Sequence, residues 1–227
     1  ATNSDWIHVL TRTDPDAPKH RGISYFMLDM KTPRIAIRPI EQMYGAKGFN
    51  ETFFEDVRVP ARNRVGEENR GFYQAMSALD VERSGIERWA GVHRTFDELV
   101  SHTQNTEYNG KRLWDDPVTK FKLAEQRVDL EAWKWLCWRI SWMQASGLFP
   151  NAETSVGFSH GTGVRTRFAE TAMQILGPFG TLKHAEKRAP LLGNIQGLSR
   201  ESLHLHGAGT REVHRNIIAQ RGLGMPR

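Results

Sequence analysis

"ETFFEDVRVPARNRVGEENRGFYQAM", residues 51–76, changes its hydrophobic period part-way through, and that change decides the fold. In "FEDVRVP" apolar and polar residues alternate, as they do in a half-buried antiparallel strand. Pro60 closes that run, and "ARNRVGEENRG" reads as a surface linker. From Gly71 onward the apolar residues recur at helical spacing.

Upstream of this junction, "WIHVLTR", "GISYFMLDM" and "RIAIRPI" are β-branched or aromatic runs separated by turn chemistry in "TDPDAPKHR", "KTP" and "YGAKGFN". They predict about four strands, a sheet that looks like part of a sandwich or barrel. Downstream, a first helix is expected from about Phe72 to the polar "SHTQNTEYNGKR", and a second from Pro117 to Gly147. A third is expected from Thr154 to Leu176, with Phe168, Ala172 and Ile175 on its buried side. A short helix near Pro190 and a last one after Thr210 complete the count. Trp135, Trp138 and Trp142, spaced three and four apart, are expected in a helix–helix core. The fold class is therefore α+β: a partial antiparallel β domain, residues 1–69, followed by an up-and-down four-helix bundle, residues 70–227.

The 227 residues are 39% hydrophobic and 25% charged, ordinary for a globular protein. No apolar run approaches a membrane span and no signal pattern opens the chain. Cys137 is the only cysteine, so a reducing, cytoplasmic setting is expected. The net charge of +5 comes from the segment after Thr181. That segment is either a solvated basic face or an anion site, with nucleic acid the less favoured ligand.

Several motifs invite chemistry. In "HGAGTREVHRNIIA", Thr210 is an N-cap before a helix, which is a plain helix start or an anion-binding one. In "QILGPFG", Gln174 precedes Gly177 and Gly180 at a helix end, the usual place for a C-cap. The nine histidines form no ligand set: His204 and His206 lack a third partner at metal spacing, and no metal is expected. "ALDVERSGIER", residues 78–88, reads as helix. Glu82 and Glu87 lie five positions apart there, a rotation of roughly 140°, so they cannot share a face. Glu82 has small and apolar neighbours at Ala78, Gly85 and Trp89, whereas Glu87 lies among arginines and is expected at the surface.

Taken together, "LTRTDPDAPKHRGISYFMLDMKTP", "NETFFEDVRVPARNRVGEENRGFYQAM", "ALDVER", "ETAMQILGPFGTL" and "GAGTREVHRNIIAQRGLGMPR" resemble the acyl-CoA dehydrogenase family. The resemblance runs from residue 1 to 227 and covers the last three-fifths or so of a family chain. It implies FAD as cofactor, an acyl-CoA thioester as substrate, and a role in lipid degradation. Electron-transfer flavoprotein is the implied acceptor, and a homo- or hetero-oligomeric dimer or tetramer the implied assembly. Many members carry the α-proton base in a Tyr-Glu-Gly-Thr segment, which here is His-Gly-Ala-Gly-Thr, so Ala208 stands where that carboxylate would be. Others place the base on the earlier helix before an Arg, and this matches Glu82, with Arg83 as a substrate-binding residue. Gln174, Gly177 and Gly180 match the segment that holds the adenine-ribose side of FAD, usually across a subunit interface. Thr210 and Glu212 match flavin-contacting positions. The pyrophosphate-gripping arginine has only a shifted counterpart, Arg112. The residues flanking the flavin ring would precede Ala1, so the 227 residues alone are expected to retain FAD poorly and to be inactive. Two other readings are a non-catalytic partner subunit of a heteromeric family member and a DNA-associated flavoprotein of the same fold.

Overall fold

The computed structural model describes the chain apart from Tyr44, Arg83, Ala185, residues 203–206, Ala208 and Arg227, and apart from the side chains of residues 79–82 and 202. The chain divides into two compact units, Ala1–Val81 and Glu82–Arg227. The α+β class read from the sequence is the one observed.

The first unit holds β1 (Trp6–Arg12), β2 (Ile23–Asp29), β3 (Ile35–Ile40), β4 (Phe49–Phe54), the short β5 (Arg64–Val65) and all but the last residue of α1 (Gly71–Glu82). β1, β2 and β5 form one antiparallel sheet, with Trp6 opposite Asp29 and Tyr25 opposite Val65. β3 and β4 form a separate antiparallel pair, Ile35 opposite Phe54. Two expectations are corrected here. "FEDVRVP" is not a strand, because β4 stops at Phe54 and Asp56 turns the backbone to φ 48°. The presumed linker instead supplies β5. A closed ring of hydrogen bonds ties that linker down: fully buried Ser24 accepts from the Asn69 amide at 2.8 Å and meets Thr13 Oγ1 at 2.7 Å. Thr13 in turn donates to Asn69 Oδ1 at 2.6 Å. A buried hydroxyl satisfied in this way anchors the end of the segment that carries β5.

The second unit is a helical bundle of α2 (Ile86–Asn105), α3 (Pro117–Ala145) and α4 (Asn151–Leu176), joined by α5 (Asn194–Ser202) and α6 (Arg211–Ile217). The single helix expected across residues 72–100 is two helices. α1 ends at Glu82, and Gly85 enters the left-handed region at φ 71° before α2 begins. Only glycine adopts that conformation without strain, so Gly85 is the sequence signal for the break. The polar tail after α2 folds into a hairpin of β6 (Glu107–Tyr108) and β7 (Lys111–Arg112). Its Asn109-Gly110 corner has both residues at positive φ, as a type I′ turn requires. α3 starts sharply because Asp116 accepts from the Val118 and Thr119 amides, both at 3.1 Å, with Pro117 at the first helical position.

α4 is the hub, packing against α2, α3, α5 and α6. Its buried residues include Val164, Phe168, Ala169, Ala172 and Leu176, with Ile175 half-buried against the same core. They meet Phe96 and Leu99 of α2 and Leu130, Trp133 and Cys137 of α3. α3 approaches α4 closely because small residues leave room. A side-chain carbon at Gly161 would lie 2.2 Å from the Trp133 indole, and one at Gly157 would lie 2.8 Å from Ile140. The tryptophan that fills the core is therefore Trp133. Trp135, Trp138 and Trp142 are 63%, 53% and 63% exposed, which corrects the expectation that they form the bundle core.

Gly161→Ala should destabilise the bundle by about 1–3 kcal/mol, because the rigid indole cannot yield to an added methyl. Thermal unfolding measures it. In a Trp133→Leu background the same substitution should cost much less, since the clashing ring is gone.

Candidate functional site

Of the proposed residues, those on α4 and the turn after it form one group. Gln174 is exposed near the end of α4, and its Oε1 accepts a 2.6 Å hydrogen bond from Lys122 Nζ on α3. Gly177 reverses the chain at φ 54°, and Gly180 is buried in the following 3₁₀ turn, Gly177–Thr181. Two recesses adjoin this corner. One, of about 290 Å³, is lined by Gln174, Tyr108, Lys111, Arg112, Asp116, Val118 and Lys122, so its basic side chains outnumber its one carboxylate. The other, of about 660 Å³, is more apolar and lies between His102, the Ile175–Phe179 corner, Leu191 and the Lys187–Arg188 pair. Tyr108 and Phe179 meet edge to face there, with ring centres 6.2 Å apart. Burial holds the His102 pKa below its ordinary value, so its neutral form is favoured.

Arg112 lines the first recess, but its guanidinium is engaged. It donates to both carboxylate oxygens of Asp115 at 3.1 Å, which raises the arginine pKa and lowers that of the aspartate.

The other proposed cofactor residues form a second group. Thr210 caps α6 by accepting from the Val213 amide at 3.3 Å. The Glu212 carboxylate turns back onto its own amide and the Thr210 hydroxyl, and both hydrogen bonds hold its pKa below the ordinary value. The positive end of α6 is thus already occupied by a side chain of the protein. One turn on, buried His214 lies against the Phe158 ring at 4.2 Å, and the Arg88 guanidinium lies 5.9 Å from the same ring. Phe158 is sixteen residues before Gln174 on α4, which separates the two groups by about 24 Å along that helix. The structure brings Gln174, Gly177 and Gly180 together, and it places Thr210 and Glu212 elsewhere.

Glu82 is the last residue of α1. Its side chain lies outside the described residues, as do Arg83, Ala208, His204 and His206. Glu87 sits in the first turn of α2 and is exposed. Because the helix breaks between the two glutamates, the 140° separation has no bearing on where they point. Among the described residues, no three metal-ligating side chains gather into a site, and no helix is long and apolar enough to cross a membrane. The sequence reading missed Lys122, His102 and the Tyr108–Phe179 pair. Only the Asn-Gly corner that carries Tyr108 had a signal, in its turn chemistry.

A helical bundle and a partial antiparallel sheet, with a basic recess at a Gln-x-x-Gly-x-x-Gly corner of the bundle, make up a mixed helical and sheet architecture. Residues 69–223 match the acyl-CoA dehydrogenase C-terminal domain, and the chain belongs to the acyl-CoA dehydrogenase family. The Mycobacterium tuberculosis acyl-CoA dehydrogenase FadE26 is 33% identical over 99% of this chain and 58% of its own length. The ChsE4–ChsE5 complex of the same organism contains a chain that superposes with a TM-score of 0.87 at 33% identity, covering 100% of this chain and 58% of that one. The Tcur3481–Tcur3483 steroid ACAD gives a TM-score of 0.90 at 30% identity with the same coverage. The chain thus spans about three-fifths of the length of each of these three proteins.

Asp115, Asp116 and Glu212 all have lowered carboxyl pKa values. Their contribution to stability is complete above the unfolded carboxylate range near about pH 4 and is lost as pH falls through the lower folded values. Acid titration of the melting temperature should show that loss. Thr210→Ala should reduce stability by about 1 kcal/mol and weaken the Glu212 part of it.

Proposed function

We propose that the polypeptide containing this chain is a flavin-dependent dehydrogenase that converts an acyl-CoA thioester to its α,β-unsaturated form. The observation that carries the reading is the Gln174–Lys122 hydrogen bond beside the cationic recess, within a chain of this family. A recess with Lys111, Lys122 and an amide side chain fits the diphosphate and adenine-ribose end of FAD, and the turn at Gly177 and Gly180 admits close approach. FAD, when bound, supplies the hydride acceptor at the substrate β-carbon. Gln174, Gly177 and Gly180 would hold its nucleotide end, and Thr210 and Glu212 its other end. A separation of about 24 Å along α4 suits an extended cofactor, or two cofactors in an assembly.

Glu82 is the proposed α-proton acceptor, with Arg83 binding substrate. Ala208, at the other family position for the base, has no proton-accepting group, which leaves Glu82 to serve. The helix break after α1 supports a special role for this segment, since Glu82 closes a helix rather than continuing one. Electron-transfer flavoprotein is the proposed acceptor, supported by similarity to the caffeyl-CoA reductase–Etf complex subunit CarC of Acetobacterium woodii. A ring-bearing acyl group is the proposed substrate class. One relative is described as a steroid ACAD and another as a cyclohexane-1-carbonyl-CoA dehydrogenase. Cys137 is buried and burial pushes its thiol pKa up to about 11, so the side chain serves packing rather than chemistry.

A second reading has a specific observation behind it. Arg112, the one arginine near the expected pyrophosphate position, is bound to Asp115. A partner subunit of a heteromeric enzyme could dispense with that grip.

In the intact protein, Glu82→Gln should reduce single-turnover flavin bleaching by a ring-bearing acyl-CoA by about 10²-fold or more while flavin content is unchanged. Glu87→Gln should bleach normally. Undiminished bleaching in Glu82→Gln would remove the base assignment, and bleaching that appears only after a paralogous subunit is added would favour the second reading. Lys122→Ala should weaken flavin retention by roughly tenfold through loss of one charge-assisted contact.

A further inference from the structure

The hairpin corner beside the basic recess is Asn109-Gly110, and no other asparagine in the chain is followed by glycine. Both residues are exposed, with φ at 54° and 77°. A side-chain carbon built on Gly110 would meet nothing within 4 Å, so no neighbouring group crowds its backbone. Among the described residues, neither the Asn109 side chain nor the Gly110 amide is held by a hydrogen bond. The strands that carry the corner are two residues each, with Tyr108 opposite Lys111 and Glu107 opposite Arg112. So short a hairpin is a weak clamp, and its tip opens at little cost. Tyr108 and Lys111, on either side of the corner, both line the recess.

We propose that Asn109-Gly110 is a site of spontaneous deamidation, and that its product lowers the affinity of the recess for an anion. The Gly110 amide nitrogen gives its proton to solvent and attacks Asn109 Cγ. The bond from Cγ to the side-chain nitrogen breaks, and that nitrogen takes a proton from solvent and departs as ammonia, closing a succinimide ring. Glycine favours this step because it has no β-carbon beside the attacking nitrogen. Water then opens the ring. Addition at Cγ gives aspartate and addition at the backbone carbonyl gives isoaspartate, with water the only co-reactant. Either product sets a carboxylate between Tyr108 and Lys111. Arg112 is already tied to Asp115 and Lys122 is shared with Gln174, so Lys111 is the cation that the new carboxylate offsets. Isoaspartate also adds a carbon to the main chain, which a two-residue turn does not accommodate. Tyr108 then loses its register with Lys111 and its edge-to-face contact with Phe179. The turn itself keeps the labile pair in place, since a residue other than glycine is strained at φ 77°. The modification is independent of the proposed activity, and only its effect on cofactor retention rests on that reading.

The test ages the intact polypeptide in mildly alkaline buffer and reads the mass of the tryptic peptide spanning residues 95–111. That peptide should gain one mass unit, localised by fragmentation to position 109, and a share of it should become a substrate for isoaspartyl methyltransferase. Asn109→Gln should show no gain over the same period, because its longer side chain closes a ring far more slowly. If position 109 stays unmodified in the folded protein while the excised peptide converts, the site is overturned. Asn109→Asp supplies the first product directly. It should weaken binding of inorganic pyrophosphate by about threefold at low salt, with the difference shrinking as salt screens it. Asn109→Ser, which adds no charge, should bind as the unsubstituted protein does, and binding that Lys122→Ala weakens is assigned to the recess. Undiminished pyrophosphate binding by Asn109→Asp would overturn the effect on the recess. Unaged protein that binds neither pyrophosphate nor flavin would overturn the cofactor reading and with it the second half of the proposal, while the mass gain alone decides the first.

Discussion

The insertion of Trp133 against the bare backbone of Gly161 fixes the bundle. An indole packed on a glycine lets α3 and α4 approach more closely than ordinary side chains allow, and it does so at one register only. That register is antiparallel and continuous. Ile140 meets Gly157, Trp133 meets Gly161, Asp129 receives Arg167 at 2.6 Å, and Lys122 reaches Gln174 at 2.6 Å. The last contact joins residues far apart in sequence at the corner where the proposed cofactor residues gather. A slip of one helical turn would move Lys122 about 5 Å away and dissolve the basic recess. The same contact also decides what α3 shows to its surroundings. With Trp133 turned inward, Trp135, Trp138 and Trp142 must turn outward.

A second constraint is local. Gly85 adopts a left-handed conformation and ends the helical run that residues 71–105 would otherwise form. The break makes Glu82 the terminal residue of one helix and puts Glu87 in the first turn of the next. Arguments from helical angle apply to residues that share a helix, and these two do not.

The candidate site is spread along α4 rather than concentrated. At its C-terminal end, cations and an amide side chain surround an open recess. Beside its first half, Thr210 and Glu212 close the start of α6, and His214 is buried against Phe158. The two regions differ in electrostatic state. The first still presents Lys111 and Lys122 to an anion, whereas at the second the helix end is already matched by its own carboxylate. This makes the α4 corner the better anion-binding element of the two, although both were legible as motifs.

The sequence by itself determined the element types, because hydrophobic period and end signals are local. The β-branched and aromatic runs such as "WIHVLTR" and "RIAIRPI", Thr210 as a cap, and the apolar spacing through α3 and α4 need no distant partner to be read. The motifs around Gln174 and Thr210 carried the family in the same way. Tertiary structure alone decided which apolar face of α3 is the core. The helix is apolar on both sides, and period reveals a face without revealing what covers it. It also decided that "FEDVRVP" leaves the sheet after Phe54, where Asp56 turns the backbone to a positive φ. The pairings of Lys122 with Gln174 and Arg112 with Asp115 set the charge of the recess. Each depends on where a folded backbone places a long, flexible side chain, which no local pattern encodes.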